Sequence, residues 1–420
     1  MRSVPYAEHV TAARPVGLMG ATGIGIGSML GAGVFVVWGP ALAIAGRWIV
    51  LSVLLAGAVA TINAASSAQL AARYPTAGGA YAYGRAELGP AWGFLAGLAF
   101  VAGKTASVAA VGLAVGHYTW GAHPEVIATG AIVLSWLVNA RGVTRTAAGA
   151  TVIGTTVVVG LLVIVAATWG SGEVGASFMT DSGGRPGGLG IVSAAALVFF
   201  AFAGYARVAT LGEEVREPGR TIPRAIALAL VLVGGLYLLI ALALVRSVGG
   251  AESGEVPLLD LANTVTWGAA LLAVLAPLSA FGALLALTAG VGRTAMAMAQ
   301  EGDLPRFLAR RDTAGVPWLA EGASAAASVA LVWLGGVAFA IAASAGAVLV
   351  YYAVANIAAA RQARAGRATS VRIPPWLSVV GAVLCVALAA AVPITALASA
   401  LGVLALGMAT RRLVRAAERA

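Results

Sequence analysis

The sequence predicts an all-α polytopic membrane protein of about twelve transmembrane helices, and three observations carry that prediction. The 420 residues are 60% apolar and only 10% charged, with a mean hydropathy of +0.94, whereas soluble domains are about a quarter charged. Apolar stretches of the roughly 20 residues needed to cross a bilayer recur along the whole chain. The arginines collect in alternate connecting segments, as the cytoplasmic loops of a multi-pass protein require.

The apolar runs place six spans near residues 16–40, 48–71, 90–118, 125–140, 146–169 and 190–211, and six more near 224–245, 266–292, 318–337, 339–360, 376–391 and 393–410. On this map Arg73, Arg85, Arg141, Arg216, Arg293, Arg361 and Arg411 share one side with both termini, which the positive-inside rule makes cytoplasmic. The opposite segments hold Glu173, Asp181, Glu252, Glu255 and Asp260. The net charge of +10 is thereby explained as topology, and no nucleic acid partner is expected. The first apolar run follows a polar stretch through Arg14 and lacks a small-residue cleavage pattern, so it is expected to stay in the mature, inner-membrane protein. Cys385 is the single cysteine; it excludes an intramolecular disulfide and reads as a packing residue.

The chain divides into a cytoplasmic N-terminal tail (1–15), a first five-helix unit (16–169), a Gly/Ser-rich external loop (170–189), a second five-helix unit (190–360), and two further helices with a cytoplasmic C-terminal tail (361–420). Residues 293–307 alternate apolar and charged side chains and predict a short surface helix ended by Asp303 and Pro305.

Two spans carry signs of interruption. The first contains GIGIGSMLGAGVF, with Gly23, Gly25, Gly27, Gly31 and Gly33 in a segment that should be regular helix. The sixth contains FFAFAGY, with Gly204 between Phe202 and Tyr205. Irregular backbone at matching places of two five-helix units is the pointer to an inverted-repeat transporter, because unwound chain is tolerated at membrane depth only where it is buried or lines a cavity. Freed N–H groups suit a carboxylate and freed carbonyls an ammonium, so such a site fits a zwitterion. Gly27 and Gly31 also form a GxxxG pair that serves close helix packing, and the aromatics of the sixth span also read as core. The glycine spacing does not fit a nucleotide-binding loop.

GIGIGSMLGAGVFVVWGPA, RYPTAGGAYAYGRAELGP, FFAFAGYARVATLGEEVREPGRTIPRA and RTAMAMAQEGDLPRFLA follow one another in order. On these segments the chain resembles the amino acid/polyamine/organocation permease superfamily. The resemblance implies the five-plus-five inverted repeat first seen in a bacterial leucine transporter, with helices 1 and 6 broken and two helices added at the C-terminus. It implies that carbonyls around Ser28, Met29 and Leu30 face a substrate ammonium, that Gly31, Ala32 and Gly33 offer N–H groups to its carboxylate, and that Phe200, Ala201, Phe202 and Ala203 form the facing break. The family's GSG reads GAG here, which removes a hydroxyl at Ala32. Several relatives have an acid just after the glycine of helix 6, where this chain has Ala206 and Arg207, and some proton-coupled relatives use a lysine in helix 5, where this chain has none.

Three charged residues are candidates for coupling or gating. Lys104, the only lysine of the chain, stands midway along the third span. An intramembrane cation faces a cavity or a partner, here either a functional site or unwound carbonyls of helix 1 in place of a structural cation. Lysine, unlike arginine, can give up its proton when desolvated, which makes Lys104 the candidate proton switch. Arg207 reads as a partner for a carboxylate or for Glu214, seven residues on along the same face.

The expected function is a permease or antiporter moving an amino acid or related amine by alternating access, with protons as a candidate coupling ion and the lipid bilayer as its surroundings. The alternative is a membrane sensor or accessory subunit that binds the amino acid without carrying it. The aromatics of the sixth span favour a neutral substrate, and Arg207 is compatible with an acidic one. Neither a nucleotide-binding pattern nor a nucleophile and base or metal-ligand constellation is present, so no enzyme activity, metal or cofactor is expected.

Overall fold

A computed structural model describes residues 16–74, 78–142, 147–170, 188–209, 211, 215–247, 256–312, 315–367 and 371–417. Helices follow as α1 (Leu18–Gly33), α2 (Trp38–Ala45), α3 (Ile49–Arg73), α4 (Gly79–Leu88), α5 (Pro90–Thr119), α6 (Pro124–Ala140), α7 (Ala147–Gly170), α8 (Gly188–Phe202), α9 (Ala206–Ala209) and α10 (Pro218–Ser247). They continue as α11 (Pro257–Ala262), α12 (Gly268–Gln300), α13 (Trp318–Arg364), α14 (Pro375–Ala390) and α15 (Ile394–Ala417). Among the described residues the one β feature is a parallel bridge from Val16 to Val215, which ties the start of α1 to the segment after α9.

Among the described residues eight helical stretches are long and apolar enough to cross a membrane, and Leu18–Gly31, Pro124–Ala140 and Pro375–Ala390 are shorter apolar helices. The residues expected as spans nine and ten form two helical segments of α13, 47 residues in all, joined directly at a kink. At about 1.5 Å per residue an unbroken helix of that length would far exceed a bilayer core of about 30 Å. Gly336 breaks it with φ 64 and ψ −179, a conformation essentially reserved for glycine. Gly89, at φ 106, likewise makes the turn from α4 into α5, whose first residue is Pro90, a favourable N1 position.

α5 runs against α12 and α13 because the facing residues are small. A Cβ at Gly103 would lie 2.9 Å from Val348 Cγ2, and one at Gly97 2.7 Å from Met298 Sδ. In lipid, close packing of this kind replaces the hydrophobic drive available in water. A buried polar cluster pins α3, α13 and α14 together. Ser66 Oγ donates to Asn356 Oδ1 at 2.6 Å, Asn356 Nδ2 to Asn63 Oδ1 at 2.6 Å, and Cys385 Sγ to the same oxygen at 3.2 Å. Cys385 is fully buried, consistent with a packing residue.

The segment expected as a separate surface helix is built differently. α12 runs on to Gln300, Gly302 turns the chain at φ 73, and a 3₁₀ turn follows at Arg306–Ala309. The turn at Gly302 presents Asp303, whose carboxylate is fully buried among partners from two elements. Arg411 Nε of α15 reaches Oδ1 at 2.8 Å, while the Tyr81 hydroxyl and Arg85 Nη1 of α4 reach Oδ2 at 3.0 and 3.4 Å. Arg85 also pairs with Glu301 at 2.7 Å, and the Arg411 guanidinium lies 5.0 Å from the Phe94 ring centroid. Burial, and then the Asp303 charge, push the Tyr81 hydroxyl pKa up, so Tyr81 remains a donor. The other end of α4 is fixed through the buried Glu87, which accepts from the Tyr74 hydroxyl at 2.7 Å and pairs with Arg367 at 3.4 Å.

Candidate functional site

Both expected interruptions occur, and each is shifted toward its C-terminal side. α1 continues through Gly27 and Gly31 to Gly33, and the chain turns only at 34–37 before α2 begins at Trp38. The turn recovers its own polar groups. Gly33 O accepts from the N–H groups of Val36 at 3.1 Å and Val37 at 3.0 Å, and Val34 O accepts from Trp38 Nε1 at 2.7 Å. The glycines of α1 serve approach, as the GxxxG reading has it. A Cβ at Gly31 would stand 2.7 Å from Ala283 Cβ and from Ser279 O, and one at Gly25 2.9 Å from Val208 Cγ2.

In the sixth span α8 runs through Phe200 and Ala201 to Phe202, a 3₁₀ turn covers Ala203–Tyr205, and α9 follows. Gly204 lets this turn touch the backbone of α1, since a Cβ there would collide with the Ser28 carbonyl and lie 2.6 Å from Met29 N. On α10, Tyr237 donates its hydroxyl to Met29 O at 3.0 Å, with Ala201 O at 3.2 Å as a second acceptor. The two irregular segments are thus held together by backbone contact and by one tyrosine.

A cavity lies beside these segments. Ser28 of α1, Ser67 of α3, Ala203, Gly204 and Arg207 of the sixth span and Lys104 of α5 line it. Phe100, Leu287, Arg293, Thr294, Tyr351 and Tyr352 complete the wall together with Ala80 and Tyr83 of α4. Lys104 is only 6% exposed, and its Nζ donates to Ala203 O at 3.4 Å. The lysine therefore meets the broken sixth span and not carbonyls of the first. Tyr351 and Tyr352 stack at 4.1 Å between ring centroids, with Phe100, Phe199 and Tyr205 within 5.6 Å of one or the other. The Tyr83 hydroxyl is buried without a hydrogen-bond partner, and burial raises its pKa.

Around the turn that follows α1 the aromatics pack in pairs. Trp38 packs edge-on against Tyr237 at 5.9 Å and Phe35 against Tyr118 at 5.6 Å, while the Tyr118 hydroxyl donates to Phe35 O at 2.9 Å. All four side chains are buried.

Several residues expected at the site stand elsewhere. Met29 and Leu30 are fully buried, and the Met29 carbonyl is occupied by Tyr237. Gly31, Ala32 and Gly33 are helical, so their N–H groups point along the helix and are not presented to the cavity. Phe200 is buried outside the lining. Phe202 is buried and lines a separate groove between α3 and α10 instead. There it packs edge-on against Tyr237 at 5.0 Å, within about 3.7 Å of the Cβ positions of Gly57 and Gly234. Helical rotation of about 100° per residue decides which aromatic faces inward, and nothing local in FFAFAGY reports that phase. Glu214 lies outside the described residues. The aromatic wall comes instead from Tyr83, Tyr351 and Tyr352; its signals in the sequence were the repeated tyrosines of GGAYAYGR and the adjacent pair in an apolar run. Tyr352→Ala should therefore weaken substrate binding roughly tenfold in a purified-protein binding assay, whereas Phe202→Ala should leave the ranking of large and small substrates unchanged.

Comparison with known proteins agrees with this architecture. The amino acid permease family model matches residues 20–409. An uncharacterized transporter of Mycobacterium tuberculosis is 42% identical over 409 residues, covering 96% of this chain and 92% of the relative. The vacuolar cationic amino acid transporter 2 of Arabidopsis thaliana is 30% identical over 310 residues, 67% of this chain and 49% of that protein. Human cationic amino acid transporter 4 is 28% identical over 254 residues, 52% of this chain and 38% of that protein. The buried cavity between two interrupted helices and the match along nearly the whole length lead to one conclusion: this chain belongs to the amino acid permease family of the amino acid/polyamine/organocation superfamily.

Proposed function

We propose that this transporter carries an amino acid across the cytoplasmic membrane by alternating access, as a secondary permease or antiporter with protons as a coupling ion. The observation that carries the proposal is the cavity at the two broken helices; in this reading the α4 side is its open end and the buried pairs Trp38–Tyr237 and Phe35–Tyr118 close the other. A site reachable from one side only is what one half of an alternating cycle requires. The arginine-rich end is the cytoplasmic one by the positive-inside rule, so the cavity faces the cytoplasm and both termini lie there.

In this reading α1 with α2 forms the first pass, α8 with α9 the sixth, and α13 the ninth and tenth, hinged at Gly336. Twelve passes result, with residues 16–169 and 190–360 as the inverted five-helix units. Ser28 and the 203–205 turn border the substrate, Lys104 links cavity occupancy to the sixth helix, and Arg207 with Glu214 acts at the gate. Uptake of radiolabelled amino acids into proteoliposomes tests the proposal. Saturable accumulation is expected, and binding in detergent without any flux would identify a sensor instead.

A further inference from the structure

Resting on the proposed transport function, we infer that the cavity is built for an acidic amino acid, with Lys104 holding one of its carboxylates at the break of the sixth helix.

The charge lining the cavity has one sign. Lys104, Arg207 and Arg293 stand in its wall, and no aspartate or glutamate does among the described residues. Arg293 has Glu321 behind it, whereas Lys104 has no carboxylate within ion-pair distance among the described residues. Its ammonium, more than nine-tenths buried, has three donors and a single acceptor, Ala203 O, at the long distance of 3.4 Å. A buried cation in that condition bears an uncompensated desolvation cost, and the space in front of it is the cavity. A substrate carboxylate entering there supplies the missing counter-charge and charge-assisted hydrogen bonds.

Arg207 and Arg293 line the same cavity, and a guanidinium has five N–H donors, so a second carboxylate is met there beside the partners these arginines already hold. The substrate ammonium faces the aromatic wall of Tyr83, Tyr351 and Tyr352, whose rings attract cations and whose hydroxyls lack well-formed partners. A cationic amino acid, the class named for several relatives, would bring its side-chain charge into a wall of like charge, which disfavours it.

Isothermal titration of the purified full-length protein with glutamate, aspartate, glutamine, asparagine and arginine tests the inference without any variant. The acids should bind at least about tenfold more tightly than their isosteric amides, and arginine should bind weakest. Lys104→Gln should bring the acid-to-amide ratio close to 1, and Lys104→Arg should keep the acids ahead. Equal affinity for acids and amides in the wild type, or arginine as the tightest ligand, overturns the inference. So does an acid preference that survives Lys104→Gln. Flux in proteoliposomes separates the two levels: uptake of neutral or cationic amino acids without acid preference removes the inference and keeps the transporter. Tight acid binding without uptake keeps the site and removes the transport reading.

Discussion

Gly204→Val is expected to cut amino acid uptake at least tenfold while the protein still inserts. The glycine has no room for a side chain, because the nearest atoms are the backbone of Ser28 and Met29 in α1 and not a flexible side-chain end. Overpacking of this kind costs about 1–3 kcal/mol, and the strain falls on the contact that holds the two interrupted helices together. Uptake and thermal unfolding measured on one preparation check the prediction. Normal uptake in the variant would show that the helices do not need this contact to move.

The second large effect is expected at Asp303. Its carboxylate is fully buried, and Arg411, with only 9% of its side chain exposed, pairs with it at 2.8 Å. Removing one partner of a buried pair strands the other, typically at a cost of about 3–5 kcal/mol. Asp303→Ala should approach that cost and free α4 from α15. The Arg85 pair adds little, since its guanidinium is 31% exposed and solvent screens it. A double-mutant cycle with Arg411→Ala, read by thermal unfolding in detergent, should give a coupling of at least about 1 kcal/mol. Additive effects would reduce the cluster to a set of independent surface contacts. Because α4 carries Tyr81 toward Asp303 and Tyr83 toward the cavity, the same variant should also alter substrate affinity.

Much of this architecture is legible in the sequence because a bilayer imposes length and polarity on every pass. The apolar runs locate the spans, although α10 begins at Pro218 and α12 ends at Gln300, outside the runs at 224–245 and 266–292. Lys104 was legible by its isolation, since one lysine in an apolar run has few places to go. The glycine-rich run of the first span misplaced its break by several residues, because glycine signals both unwinding and close packing and only the facing Ala283 and Ser279 settle which. Phe202 was misassigned for want of helical phase. Tyr83 of α4 lines the same cavity as Tyr351 and Tyr352 of α13, and no local pattern encodes that convergence. The Asp303 cluster was hidden similarly: its partners come from α4 and α15, and the sequence shows only a charged loop.

The most direct test of the account is whether the two ends of the cavity exchange access. Cys385 is the only cysteine, so Cys385→Ser provides a background in which Ala80→Cys reports the open end and Val36→Cys, at a position 2% exposed, reports the sealed end. Labelling by a membrane-impermeant maleimide, in vesicles of known orientation, should be fast at Ala80→Cys and slow at Val36→Cys without substrate. A transported amino acid held on the opposite side should slow the first and speed the second. Labelling rates at both positions that stay fixed while substrate is being transported would contradict alternating access.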